Sequence, residues 1–122
     1  IHPRTCSIIK DNNIEVSFQI INPVGYLEMI WLIQNCSLVI TDSGGLQKEA
    51  YFFQKPCVIL RPQTEWVEII RAKCAKIVDT DQDKILYAVD HFMKAENLNF
   101  PPVFGDGKAA EFILEEMLNQ FG

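Results

Sequence analysis

Short apolar runs alternating with runs of helical spacing predict an α/β chain, a three-layer parallel sheet with helices on both faces. Two observations carry that prediction. The runs Ser37-Leu38-Val39-Ile40-Thr41 and Lys55-Pro56-Cys57-Val58-Ile59-Leu60 are short and almost wholly apolar, as parallel strands covered on both faces must be. Each is followed by turn residues and then by apolar residues at helical spacing, the order of a βα unit.

The elements follow in order. His2-Pro3-Arg4-Thr5 reads as the end of a strand begun upstream. The segment Ile14-Glu15-Val16-Ser17-Phe18-Gln19-Ile20-Ile21 alternates at first and stops at Asn22-Pro23, which predicts a strand. From Tyr26 to Gln34, the apolar residues Leu27, Ile30, Trp31 and Ile33 predict a helix. The run 37–41 is the next strand, broken by Asp42-Ser43-Gly44-Gly45 and followed by a helix from Leu46 to about Phe53. The run 55–60 is another strand, after which Thr64 is the expected N-cap of a helix from Glu65 to about Ala72. Lys76-Ile77-Val78 reads as a brief strand. Thr80-x-x-Asp83 is a capping signal for a helix carrying Ile85, Val89, Phe92 and Met93 on one side. A loop with Pro101-Pro102 and Gly105-Asp106-Gly107 leads to a last helix from about Lys108 to Gln120.

With 122 residues, no internal repeat and no linker, residues 1–122 read as one domain. Four strands make a thin sheet and the chain opens on Ile1 without Met, so the expectation is a partial domain that continues upstream. Hydrophobic residues at 48% and charged residues at 22% exclude a disordered tail. The net charge of −5 argues against a nucleic-acid domain, because phosphate backbones need a basic surface. No apolar run approaches the about 18 residues of a membrane span. Cys6, Cys36, Cys57 and Cys74 form no C-x-x-C pair, and His2 and His91 are far apart, so no metal site and no cofactor are expected. The thiols read as reduced, as in a cytoplasmic protein.

The chemistry concentrates at Val39-Ile40-Thr41-Asp42-Ser43-Gly44-Gly45-Leu46, a buried strand, a turn with two glycines and a helix. In open α/β sheets ligands bind at the carboxyl ends of strands. A helix N-terminus there presents unpaired amides, and glycine lets an anion approach the backbone closely. Phosphate or diphosphate is the natural ligand, with the Ser43 hydroxyl as a further donor. Glu49, one turn beyond Gly45, would repel phosphate but suits the vicinal hydroxyls of a ribose. From spacing alone, a bare turn with a solvated Glu49 reads equally well. Arg61 follows a second strand and is set to pair with a phosphate, with a surface arginine as the plain alternative. Trp66 could stack on a base or on its neighbours. Arg4 reads as exposed and His91 as structural.

Taken together, His2-Pro3-Arg4-Thr5, Pro23-x-Gly25-Tyr26-Leu27, Thr41-Asp42-Ser43-Gly44-Gly45-Leu46-Gln47-x-Glu49-Ala50, Lys55-Pro56-Cys57, Leu60-Arg61-x-x-Thr64-Glu65-Trp66-Val67-Glu68 and Phe104-Gly105-Asp106-Gly107-Lys108-Ala109-Ala110-Glu111 resemble the non-hydrolysing UDP-N-acetylglucosamine 2-epimerase family. The resemblance spans almost the whole chain. It implies the C-terminal, UDP-holding half of a GT-B-type fold, Rossmann-like, facing an N-terminal domain that this chain lacks. It implies that Ser43, Gly44 and Gly45 hold the diphosphate, Glu49 the ribose hydroxyls and Met29 the uracil, with Arg61 on the phosphate side. The implied reaction inverts C2 of UDP-N-acetylglucosamine by elimination and re-addition of UDP, in a cytoplasmic homodimer. The proton-transfer residues belong to sequence outside this chain, His2 is not one of them, and the isolated chain is expected to be inactive.

The sequence departs from the family pattern at several places. Lys48 stands where an acid is common, and Trp66 where some members carry a substrate-contacting arginine. Gln54, Lys73 and Asp79 stand where glycine is usual. Two other functions fit the same residues: half of a GT-B glycosyltransferase, or a stand-alone UDP-sugar-binding module without catalysis.

Overall fold

The computed structural model describes residues 3–121, which divide into two units: one through Asn35 and one from Cys36 onward. The first unit holds helix α1, Pro3–Asp11, and helix α2, Tyr26–Asn35. Proline suits the first position of α1 because it has no amide hydrogen to leave unpaired. The helix ends where Asn13 turns left-handed (φ 50°) and Ile14 N donates to Ile9 O at 3.0 Å. At the start of α2 the Glu28 carboxylate accepts from Gly25 N at 2.7 Å, satisfying an amide that the helix leaves open.

Two sequence expectations fail in this unit. Pro3 to Thr5 begin a helix rather than closing a strand, and His2 lies outside the described residues. Ile14–Ile21 forms no strand, and Phe18, Ile20 and Ile21 are exposed. Alternation marks a chain that can join a sheet, but a strand exists only where a neighbour accepts its hydrogen bonds. The sheet among the described residues is built from later segments, and this one is not among its strands.

The second unit carries the sheet. Strands β1 (Val39–Thr41), β2 (Cys57–Ile59) and β3 (Ala75–Ile77) run parallel in that order, with Val39, Cys57 and Ala75 in one register row and Thr41, Ile59 and Ile77 in another. Helix α3 (Gly44–Phe52) joins β1 to β2, and helix α4 (Val67–Arg71) joins β2 to β3. Helices α5 (Gln82–Lys94) and α6 (Ala109–Phe121) follow. The α/β class and the parallel sheet are thus as expected, with three strands among the described residues in place of four.

All of β2 is buried. Its pleat sends Val58 into a cluster with Val78, Ala88 and Phe92, so α5 covers one face. Cys57 and Ile59 point to the other face, where α3 and α4 pack. β2 is therefore sandwiched between two helix layers. Burial also pushes the Cys57 thiol up to about 12 and the Cys74 thiol up to about 11, which keeps both protonated and inert. On the edge strand β1, Ile40 is half exposed, although its register partner Val58 is fully buried. No residue of α6 is buried, and Phe112, Leu114 and Met117 are exposed.

Three left-handed positions of the second unit carry a residue other than glycine. Gln54 (φ 55°) and Lys73 (φ 60°) each follow a helix, and Lys55 N donating to Ala50 O and Cys74 N to Ile69 O complete the same C-terminal motif twice. Asp79 (φ 53°) turns the chain after β3.

Candidate functional site

Parallel register brings two loops to one edge of the sheet. Thr41 and Ile59 are partners, and Leu60 N donates to Thr41 O at 3.0 Å, so the segments beginning at Asp42 and Arg61 leave the sheet side by side. This is the carboxyl edge, where ligands of such sheets bind.

The first loop enters α3 through Ser43. Thr41 Oγ1 accepts from Ser43 N at 3.0 Å and holds the turn. Ser43 is extended (φ −80°, ψ 123°), and its Oγ accepts from Leu46 N at 3.4 Å as the N-cap. An accepting hydroxyl keeps its own proton to donate outward. The amides of Gly44 and Gly45, in the first turn, have no acceptor within the helix and stand at the positive end of its dipole. Neither glycine has a positive φ.

The two glycines face different surroundings. A β-carbon at Gly45 would meet nothing nearer than Ser43 Oγ at 3.9 Å. Glu49, one turn on and half-buried, shares that open side. A β-carbon at Gly44 would overlap Oε1 of Glu65, stand 3.1 Å from its Cδ, and lie 3.6 Å from Arg61 Nη1. Arg61 Nη1 donates to Glu65 Oε2 at 3.1 Å. The predicted phosphate partner is therefore at the glycine turn and engaged by a carboxylate of its own loop. Both side chains are partly exposed, so the pair is worth only about 0.5 kcal/mol.

Behind the turn stands an aromatic buttress. Trp66 Nε1 donates to Gly44 O at 2.8 Å, and its ring meets Phe104 edge-on at 5.7 Å. Lys48 Nζ sits 4.5 Å from the Trp66 centroid and 4.7 Å from that of Phe104. Phe104 also meets Tyr51, whose hydroxyl donates to Pro101 O and is pushed above the usual tyrosine range by burial and then by the Cys74 thiol. Trp66 thus packs on its neighbours and anchors the Gly44 peptide.

Thr64 does not cap α4. That helix begins at Val67, and its N-cap Trp66 makes no side-chain cap bond. Thr64 Oγ1 instead donates to Oε1 of the fully buried Gln47 at 2.6 Å and accepts from Trp66 N at 3.1 Å. A buried amide on α3 thus holds the loop carrying Arg61 and Glu65. Among the described residues, Gln47 Nε2 and Glu68 Oε2 are buried without a bond partner.

Of the residues expected to bind ligand, Ser43, Gly44, Gly45, Glu49 and Arg61 gather at this corner, while Met29 lies half-buried in α2 of the other unit. His91 packs on Tyr87 and Phe92. Sequence reasoning passed over Glu65, although its spacing of four from Arg61 hinted at the pair. Gln47–Thr64 left no local signal. Among the described residues, no group of three or more His, Cys, Asp or Glu could hold a metal ion, and no helix is long and apolar enough to cross a membrane.

Residues 1–118 match the family model described as UDP-N-acetylglucosamine 2-epimerase. The UDP-2,3-diacetamido-2,3-dideoxy-D-glucuronate 2-epimerase of Pseudomonas aeruginosa is 44% identical over 115 residues, covering 94% of this chain and 32% of that protein. The UDP-N-acetylglucosamine 2-epimerase of Methanocaldococcus jannaschii is 38% identical over 120 residues, covering 93% and 32%. A structure of the UDP-GlcNAc 2-epimerase from that archaeon superposes with a TM-score of 0.83 at 35% identity, over 98% of this chain and 34% of that one. A second structure from the same organism, in complex with UDP-GlcNAc and UDP, gives 0.79 at 36% identity, with the same coverage. The chain spans about a third of the length of the relatives it matches.

Proposed function

The chain belongs to the UDP-N-acetylglucosamine 2-epimerase family, and from that premise we propose that it is the C-terminal, UDP-binding portion of a UDP-amino-sugar 2-epimerase. Ser43, Gly44 and Gly45 bind the diphosphate, Glu49 accepts from the ribose hydroxyls and Arg61 pairs with a phosphate. The observation that carries this reading is the pair of open amides at Gly44 and Gly45, with the free side of the turn leading to Glu49. The solved relative in complex with UDP-GlcNAc and UDP supports it.

The chemistry follows from charge. Elimination takes a proton from C2, breaks the bond from C1 to the diphosphate oxygen and leaves negative charge on UDP. Re-addition returns UDP to C1 and a proton to the opposite face of C2. Preorganised amides and a guanidinium stabilise the departing charge as it forms, so the cradle takes part in the reaction as well as in binding. The proton-transfer groups come from outside this chain, and the chain alone does not turn over substrate. The exposed apolar residues of α6 fit a domain meant to meet further protein. The full protein is a cytoplasmic homodimer in this reading. UDP-N-acetylglucosamine is the substrate the family model favours, and the 44% identical relative makes a UDP-diacetamido-glucuronate the second substrate to assay.

Glu49→Ala tests the ribose role. Loss of a hydrogen-bonded carboxylate weakens UDP by about ten- to a hundredfold in calorimetry, and a 2′-deoxy analogue by clearly less. Equal losses for the two nucleotides would remove Glu49 from the ribose.

A further inference from the structure

The Gly44 side of the turn already holds an anion. Oε1 of Glu65 lies where a side chain of residue 44 would go, and Oε2 accepts from Arg61 Nη1 at 3.1 Å. A carboxylate is thus placed against Gly44 in the first turn of α3, on the guanidinium that suits a phosphate. Glu65 is also half exposed, so it is free to leave toward solvent. The loop that carries it is not: Thr64 is tied to buried Gln47, and Trp66 to Gly44 O. The backbone on either side of Glu65 is fixed while its side chain is not.

On the basis of the UDP-cradle reading, we infer that Glu65 is a specificity residue, a tethered carboxylate that competes with the ligand's phosphates for Arg61 and the Gly44 turn. A diphosphate must displace it. On binding, Arg61 changes partner from Glu65 Oε2 to a phosphate oxygen, and the carboxylate swings into water. The exchange favours ligands that bring more charge than a carboxylate and hold elsewhere as well, through Glu49. Inorganic phosphate and simple carboxylates meet the competitor without that second hold. The empty cradle, in turn, never leaves Arg61 unneutralised.

Calorimetric titration of the chain with UDP, and separately with inorganic pyrophosphate, tests the exchange in the unmodified protein, Glu65→Gln, Glu65→Ala and Glu96→Gln. Glu96 is an exposed acid beyond α5 and controls for net charge alone. Removing the competitor tightens both ligands by about three- to tenfold in both Glu65 variants, with proportionately more gain for pyrophosphate, and Glu96→Gln changes either by less than about twofold. If UDP binds the unmodified chain and the Glu65 variants bind no tighter than Glu96→Gln, Glu65 is no competitor and the cradle stands without it. If neither the unmodified chain nor any variant binds UDP or pyrophosphate, the cradle reading falls and this inference falls with it.

Discussion

The two ends of α3 use glycine in opposite ways. At its start, Gly44 and Gly45 stand where φ is not positive and any residue would fit the backbone. At its finish, Gln54 adopts φ 55°, the conformation that glycine tolerates best. Glycine in a helix costs roughly 0.5–1 kcal/mol relative to alanine, and a left-handed non-glycine residue costs about 1–2 kcal/mol. The chain accepts both penalties. Backbone geometry alone would have placed the glycines the other way round. What the first turn gains is room: Glu65 and Arg61 close in on Gly44, and nothing closes in on Gly45. The difference teaches that glycine at the start of α3 is not explained by backbone conformation, whereas the proposed approach of an anion would explain it, and that the left-handed end of the helix is tolerated without glycine.

Breaking the support behind the turn has the largest effect on stability. Trp66→Ala removes the bond to Gly44 O, the edge-on contact with Phe104 and the seat of Lys48. For a half-buried tryptophan this costs about 2 kcal/mol, read as a lower midpoint in urea with an unchanged slope. An unchanged midpoint would mean that the aromatic buttress carries no load. A smaller effect of opposite sign sharpens the contrast at the other end. Gln54→Gly relieves the left-handed turn and raises stability by about 1 kcal/mol, with UDP affinity unaltered. A fall in the midpoint would show that Gln54 is held there by something other than backbone strain.

Much of this was legible beforehand. β1 and β2 announce themselves because strands covered on both faces must be apolar throughout, and Ser-Gly-Gly after β1 announces a turn into a helix, although spacing alone reads equally well as a bare turn. Gln54, Lys73 and Asp79 stood out as departures from glycine, and all three have positive φ. What stayed hidden depends on contacts distant in sequence. Ile14–Ile21 carries a strand's alternation, yet alternation cannot say whether a partner is present. Thr64 looked like a helix cap because threonine before an acidic helix start usually is one. Its hydroxyl is instead taken by Gln47, 17 residues away, which no local pattern reports. The spacing of Arg61 and Glu65 was visible, but the direction of their pair over Gly44 belongs to the packing of two loops.

The most direct test of access at the glycine turn is Gly45→Ala, with stability and UDP affinity measured on the same protein. The new methyl group enters open space, nearest to Ser43 Oγ at 3.9 Å, and strains nothing in the fold. Stability therefore rises by roughly 0.5–1 kcal/mol, while the proposed cradle requires UDP binding to weaken at least tenfold, because the methyl group would stand where the diphosphate is proposed to meet the amide. Unchanged affinity for UDP in a protein stabilised as expected would contradict the account, since the anion would then not be using the space that glycine leaves.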